Sequence, residues 1–384
     1  MKSRALALAL SLSVLLPSYS IAAEVTSKSQ QTAPGVFIDT SIYLPKKTPA
    51  PAILLAHGFG GSKDSVVTEA QAFQKRGYVV MTWTARGFGK STGQISMNLL
   101  SAEIADVQQL ITTLSKRKDV LQDRAGDPVV GITGGSYGGA AALLTASQDK
   151  RIDAVVADIT WNDLSQALFP QSSKDLDEPG PFKKIWTGTF FALATLQSAY
   201  LGECGALTNE WCAAYKSAVT NGQPSAAERK LLRSVSPASV LSSIKAPTLL
   251  SQGQADSLFP LNESSQTAAA LKKSGVPISM IWHAAGHDGG ADEKKYLQEQ
   301  YSRWFDKYLL KQEIDFPLFQ FTKTNGSISL QDSTAIPKSF TATRLPFEAE
   351  MKQLPLLAQP AAMSYPVGGI PSAISSLPGI GAAG

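Results

Sequence analysis

The sequence predicts an α/β protein in which helices flank a mostly parallel central sheet and a helical cap is inserted between two strands. From residue 36 onward, short β-branched or apolar runs alternate with longer segments of helical period. This alternation is typical of a parallel sheet whose strands are joined by helices. It breaks over residues 161–243, and glycine-rich turns follow several of the strands.

Each element is predicted from its local pattern, with strands where β-branched and apolar residues cluster and helices where apolar residues recur every three or four positions. The predicted strands are residues 36–43, 52–56, 78–84, 129–133, 154–159, 248–252 and 278–283. The predicted helices are residues 66–76, 99–116, 137–147, 264–273 and 292–310. The last helix carries an aromatic stripe, for which core packing is the expected role.

The break in the alternation predicts the cap. An insertion as long as residues 161–243 is not expected to be a bare loop in a compact domain, and residues 185–201 form an apolar run of helical character. Residues 1–22 are predicted to be a signal peptide. The core is predicted in two parts, residues 36–160 and 244–315, with the cap, residues 161–243, inserted between them. Residues 316–384 are predicted to be a Pro/Gly-rich tail or an incomplete β domain.

The composition excludes several classes of function. The 384 residues are 43% hydrophobic and 17% charged, which predicts a globular protein with a large core. Three histidines and two cysteines are too few for zinc fingers or cysteine-ligated clusters, so no metal or cofactor is expected. The net charge of +4 is not concentrated in a basic patch, so nucleic acid is not an expected partner.

The N-terminal segment predicts export. Lys2 and Arg4 precede an apolar run, and Ser20-Ile21-Ala22 has the small-x-small pattern of a cleavage site. The run is too short to span a bilayer, and no cysteine stands directly after it to carry a lipid, so no stable membrane anchor is expected. The protein is therefore expected to be secreted or periplasmic. In an oxidising compartment Cys204 and Cys212 are expected to form a disulfide, the alternative being two buried free thiols.

Residues 134–138 read Gly-Gly-Ser-Tyr-Gly and match the pattern G-x-S-x-G. The motif follows a predicted strand and precedes a predicted helix, where a sharp turn would lift the serine oxygen clear of the sheet. Glycines are needed because the backbone passes close on both sides. Ser136 is therefore the candidate nucleophile, and the amide of Tyr137, at a helix start, can stabilise negative charge.

A serine nucleophile needs a base that an acid orients. His57 lies in a glycine-rich segment after an early strand, His283 ends a strand, and His287 follows in a flexible loop past the strand end, where ligand sites of α/β sheets gather. His287 is the candidate base. Asp256, just past the preceding strand, is the candidate acid, so that the residues follow the hydrolase order serine, acid, histidine. Asp158 and Asp163 are the alternative acids. Either could instead be the N-cap residue of the first helix of the inserted cap.

With these residues the chain resembles the α/β-hydrolase superfamily, and within it the Xaa-Pro dipeptidyl-peptidase and cocaine-esterase group. The resemblance covers about residues 36–315 and rests on His57-Gly58, on residues 86–93 and 134–139, on Asp256 and on Gly286-His287-Asp288. It implies an α/β-hydrolase fold, with Ser136 as nucleophile, Asp256 and His287 as its relay and the Tyr137 amide as one oxyanion donor. Members often offer a tyrosine phenol as second donor; here Phe59 stands in the glycine-rich loop, and its amide is expected to substitute.

The expected function is that of a secreted serine hydrolase which cleaves a peptide or ester bond through an acyl-enzyme and resembles an Xaa-Pro dipeptidyl-peptidase. The alternatives are a carboxylesterase or lipase-like enzyme without proline preference, and a non-catalytic binding protein. A small molecule or peptide is the expected substrate. Aromatic residues of the cap indicate an apolar acyl or side-chain pocket, or equally core packing: Phe169, Phe182, Trp186, Phe190, Phe191, Tyr200 and Trp211. Carboxylates that could bind a substrate amine are Asp175, Asp177, Glu178, Glu203 and Glu210.

Overall fold

A computed structural model describes residues 25–170, 179–196 and 202–331. The predicted signal peptide, Tyr200, the carboxylates Asp175, Asp177 and Glu178, and residues 332–384 of the predicted tail lie outside these ranges. Within the described ranges, no helix combines the length and the apolar character needed to cross a membrane.

Most strands of the described residues join one ten-stranded sheet in the order β1-β2-β4-β3-β7-β8-β9-β10-β13-β14. The strands are β1 (Val25–Ala33), β2 (Val36–Tyr43), β3 (Ala52–Ala56), β4 (Val79–Trp83), β5 (Gln122–Arg124), β6 (Asp127–Pro128), β7 (Val130–Gly135), β8 (Ile152–Asp158), β9 (Thr248–Gly253), β10 (Ile278–His283), β11 (Ala285–Gly286), β12 (Gly289–Gly290), β13 (Phe319–Thr322) and β14 (Ile328–Gln331). The short pairs β5-β6 and β11-β12 are separate hairpins.

Helices cover the sheet and form the insertion between β8 and β9. They are α1 (Val67–Arg76), α2 (Ala105–Leu114), α3 (Tyr137–Gln148), α4 (Leu164–Leu168), α5 (Lys184–Leu196), α6 (Asn209–Asn221), α7 (Ala226–Ser234), α8 (Asn262–Lys273) and α9 (Lys294–Leu309). A π-helical turn, Leu100–Ile104, leads into α2.

The sheet is parallel from β4 through β13, and antiparallel pairs lie only at its edges, β1-β2, β2-β4 and β13-β14. The central strands β3, β4 and β10 are buried along their whole length, as expected when helices cover both faces. The predicted fold class is confirmed. The direction in which strands are added to the sheet reverses between the neighbours β3 and β7, since β4 lies beside β3 on one side and β8 beside β7 on the other. The carboxyl edge of the sheet at such a point is where α/β proteins bind ligands.

Two apolar clusters fill the space between sheet and helices. One face carries α1 and α9, where the rings of Phe73 and Phe305 are 5.7 Å apart. The other face carries α2, α3 and α8. Phe305 belongs to the aromatic stripe of α9, so its predicted packing role is confirmed.

The segment between β8 and β9 folds as helices α4 to α7, with an apolar cluster of its own. Cys204 and Cys212 form a disulfide at the start of α6. The side chain of Lys183 ties the insertion to the loop after β9, because its Nζ donates to the carbonyl oxygens of Ser257 and Leu258 at 2.6 and 2.7 Å.

Three strands of the sheet were not predicted. β1 is a polar edge strand, exposed over most of its length, so it lacks the alternation that marks a half-buried strand. After Phe316 the sequence indicates a linker or an incomplete domain, but β13 pairs in parallel with β10 and β14 pairs with β13. These strands are only four residues long, too short for a periodic signal.

Candidate active site

Ser136 lies on the sharp turn between β7 and α3. Its backbone has φ 55° and ψ −118°, a conformation that is unfavourable for residues other than glycine. Two hydrogen bonds hold it. The Ser136 amide donates to the carbonyl oxygen of Asp158 at 2.9 Å, and the hydroxyl of Thr160 donates to the carbonyl oxygen of Ser136 at 2.8 Å. The end of β8 and the segment after it thus support the strained residue on both sides.

Gly138 allows the turn to pack against the neighbouring strand. A Cβ atom at Gly138 would lie 2.8 Å from the carbonyl oxygens of Ala56 and His57, closer than van der Waals contact permits. The glycines of the motif are therefore required by the close approach of α3 to the end of β3, as the pattern predicts.

Asp256 and His287 form a direct hydrogen bond. Nδ1 of His287 lies 2.7 Å from Oδ2 of Asp256, and the Asp256 side chain is 0% exposed. The other carboxylate oxygen accepts the Phe259 amide at 2.7 Å, so the carboxylate is held at both oxygens. Because Nδ1 donates to the carboxylate, Nε2 is the basic nitrogen of the neutral ring.

One cavity at the carboxyl edge of the sheet is lined by both Ser136 and His287, and its volume is about 410 Å³. Trp186, on α5, packs roughly perpendicular to the imidazole of His287 with ring centroids 5.8 Å apart. Phe259 packs on the ring at 5.3 Å. These two aromatic contacts and the bond to Asp256 restrict the orientation of the imidazole.

The other acid candidates have different partners. Oδ1 of Asp158 lies 3.2 Å from Nε2 of His283, and Asp163 caps α4 by accepting the Ser165 amide at 2.8 Å. Burial alone would lower the pKa of His283, but the carboxylate of Asp158 outweighs it and raises that pKa. His283 ends β10 inside the sheet, as predicted.

Phe59 and Tyr137 lie side by side, with their rings edge to face at 5.5 Å. Within the described part of the chain, neither backbone amide donates a hydrogen bond to another residue. An amide donor without a protein acceptor is what stabilising a developing oxyanion would require. Asn98, which donates to the Tyr137 carbonyl at 2.9 Å, fixes the first turn of α3.

Several supporting residues were missed by the sequence analysis. Thr160 and Asn98 contact the site without belonging to a motif. Trp186 was predicted only as a pocket or packing aromatic of the cap, and its contact with His287 was not predicted. Ile159, between the two residues that hold Ser136, has φ 36°, a strained value for a β-branched residue. No local pattern in the sequence signals such contacts.

His57 lies beneath the glycine-rich loop and is held as a neutral ring. Its Nε2 accepts the Ala85 amide at 2.9 Å, and Nδ1 bonds the Gly58 carbonyl oxygen at 2.7 Å. Burial lowers the pKa of His57 to about 4. Protonation would place a second donor against the Ala85 amide.

We expect the free energy of unfolding of the wild type to fall relative to that of His57→Gln as the pH drops from 6.5 to 4. In that window the unfolded chain binds the proton on His57 and the folded chain does not, so acidification favours unfolding by up to about 3 kcal/mol. Glu103 and Glu263, whose pKa burial raises to about 7, act in the opposite direction in wild type and variant alike. Urea unfolding of wild type and His57→Gln at each pH isolates the histidine; parallel pH profiles of the two would contradict its assignment as a neutral ring.

Curated relatives match part of the chain. A 31.7 kDa protein from the traX-finO intergenic region of Escherichia coli is 29% identical over 114 residues, which is 29% of this chain and 38% of that protein. The thiohydrolase aneE of Aspergillus aculeatus is 30% identical over 129 residues, 33% of this chain and 38% of that protein. The matched segments thus span less than half of each relative.

Solved structures share the fold. A CocE/NonD family hydrolase from Staphylococcus aureus superposes with a TM-score of 0.57 at 16% sequence identity, covering 81% of this chain and 56% of that one. A profile described as X-Pro dipeptidyl-peptidase (S15 family) matches residues 34–289, from β2 through the inserted helices to the loop that carries His287. Because that match takes in both halves of the sheet and every candidate residue of the site, this chain belongs to the X-Pro dipeptidyl-peptidase (S15) family of α/β-hydrolases.

Proposed function

We propose that the chain is a serine hydrolase that cleaves a peptide or ester bond through an acyl-enzyme. The observation that carries the proposal is the buried Asp256 bonded to Nδ1 of His287, with His287 and Ser136 lining the same cavity. Membership of a peptidase family supports it.

In the proposed mechanism Nε2 of His287 takes the hydroxyl proton as the Ser136 oxygen attacks the substrate carbonyl. Asp256 holds the imidazole in the correct tautomer and stabilises the imidazolium. The amides of Tyr137 and Phe59 donate to the oxyanion. His287 then protonates the leaving amine or alcohol, and the acyl group stays on Ser136. Water, deprotonated by His287, releases the acid and restores the serine.

A more specific candidate function is the cleavage of Xaa-Pro peptides. An Xaa-Pro dipeptidyl-peptidase must bind the free amine of its substrate, for which a carboxylate is the natural partner. Of the carboxylates proposed from the sequence, Glu203 is paired with Lys216 at 2.7 Å and Glu210 lies exposed in the first turn of α6. Neither of these two described carboxylates lines the cavity of Ser136, and ester hydrolysis needs no such group, so we favour an ester substrate.

We also propose that the enzyme works outside the cytoplasm. The Cys204–Cys212 disulfide supports this location, because disulfides persist in oxidising compartments. The signal-like pattern of residues 1–22 agrees with it.

A fluorophosphonate probe tests the proposed nucleophile. We expect one probe molecule per chain, on the peptide that contains Ser136, because the probe phosphonylates only a serine activated by a base. Ser136→Ala should abolish labelling, while Ser65→Ala, which changes an exposed serine beside the glycine-rich loop, should leave it intact. Mass spectrometry of the labelled protein reads out the result; labelling that persists in Ser136→Ala would reject the nucleophile. Comparing p-nitrophenyl acetate with an Xaa-Pro p-nitroanilide then distinguishes the esterase from the proline-specific peptidase.

A further inference from the structure

We infer that an apolar chamber in the cap binds a short linear acyl chain of the substrate and sets its length. This inference rests on the proposed function and adds the substrate class. The cap chamber is the cavity of about 90 Å³ whose walls include Phe169, Phe182, Phe191, Trp211, Ala218 and Leu232. It lies within the apolar cluster of the inserted helices, apart from the larger cavity that Ser136 lines.

The walls of the cap chamber are nearly all hydrocarbon. Its few polar wall residues include Thr187 and Glu228, and both are already engaged. The Thr187 hydroxyl donates to the Lys183 carbonyl oxygen at 3.1 Å, and the Glu228 carboxylate accepts the Ser225 amide at 2.6 Å. Most of the wall would strip a charged amine of its hydration and offer no hydrogen-bond acceptor in return. The chamber therefore favours an uncharged apolar group.

Two aromatic side chains separate the cap chamber from the catalytic cavity. Phe59 and Phe190 line both spaces, and their ring centroids are 5.3 Å apart. Phe59 also offers the proposed second oxyanion amide, so the chamber begins beside the position of the substrate carbonyl. The partition consists of side chains, which change rotamer far faster than a backbone rearranges. A chain attached to that carbonyl can thus reach the chamber by displacing one ring.

The size of the cap chamber restricts the group that it can hold. An engineered apolar cavity of about 150 Å³ stays dry and accepts benzene, and the cap chamber is smaller at about 90 Å³. A linear alkyl chain, which is narrower than an aromatic ring, fits these dimensions. Each methylene buried there should improve kcat/KM roughly fourfold. The inferred substrate is therefore an ester of a short unbranched fatty acid.

The test fills the cap chamber and compares two esters. Ala218, on α6, is 6% exposed and lines the chamber; Ala218→Leu should reduce kcat/KM for p-nitrophenyl hexanoate at least tenfold and leave p-nitrophenyl acetate unchanged. Ala213→Leu makes the same change on the exposed face of the same helix and should alter neither ester. Ala214→Leu, which fills the chamber from a half-buried position, is a second filling variant should Ala218→Leu fold poorly.

A binding measurement separates this inference from the proposed mechanism. Titration calorimetry of Ser136→Ala with methyl hexanoate requires no catalysis, and adding Ala218→Leu should weaken binding at least tenfold. An unchanged hexanoate-to-acetate ratio, or unchanged methyl hexanoate binding in the filled variants, would overturn the inference. Failure of the fluorophosphonate to label Ser136 would instead count against the proposed function, and the calorimetry would still decide whether the chamber binds the alkyl chain.

Discussion

Asp256→Asn is expected to lower kcat for ester hydrolysis by about 10⁴-fold with little change in KM, because it disturbs the proton on His287 and leaves the substrate cavity intact. The carboxylate accepts from both the His287 ring and the Phe259 amide at 2.7 Å. An asparagine that keeps its oxygen towards the amide would present its NH₂ to Nδ1, which must then accept. The ring would carry its proton on Nε2, the atom needed as the base.

Asp158→Asn is the matched control. Asp158 is the other carboxylate beside a histidine, its Oδ1 3.2 Å from Nε2 of His283, and it also lines the cavity of Ser136. The same substitution there should cost far less activity, because His283 takes no part in the proposed proton transfer. Steady-state kinetics of both variants with p-nitrophenyl acetate decide between the two acids. A larger loss in Asp158→Asn would reassign the acid to that residue.

Local patterns were enough to predict the parts of the molecule that depend on neighbouring residues. The strands Val36–Tyr43, Ala52–Ala56 and Ile278–His283 have the predicted bounds, because each is rich in β-branched or apolar residues and lies between turn-forming segments. The glycine spacing around Ser136 likewise records a local steric demand. The order of serine, acid and histidine then singled out two side chains, 31 residues apart, that lie in hydrogen-bond contact.

Features that depend on long-range contact had no such signal. Trp186 packs against His287 from a helix about 100 positions away in sequence, and the hydroxyl of Thr160 reaches the Ser136 carbonyl from the segment just after β8. Tryptophan and threonine serve many roles, so their identity carries no information about these contacts. The division of the cap aromatics into chamber walls and packed core is equally a matter of tertiary packing.

Gly138→Ala should lower kcat/KM at least about 10²-fold and the free energy of unfolding by about 1–3 kcal/mol. The added methyl group would lie 2.8 Å from two carbonyl oxygens at the end of β3, and these backbone atoms cannot yield without moving the turn that carries Ser136. Gly188→Ala is the control, since it is also a helical glycine but its Cβ would lie 3.5 Å from the Tyr215 hydroxyl, an ordinary contact. Alanine there should stabilise α5 by roughly 0.5–1 kcal/mol.

Denaturant unfolding and ester kinetics on both glycine variants distinguish the effect of a steric clash with β3 from the effect of a higher helix propensity. If packing against β3 governs the turn, the two substitutions change stability in opposite directions, and only Gly138→Ala loses activity. A Gly138→Ala protein with wild-type kinetics would mean that α3 can move away from β3 without displacing Ser136. The strained turn would then be held by the hydrogen bonds with Asp158 and Thr160, at and just after the end of β8, and Thr160→Val would become the substitution that disables the serine.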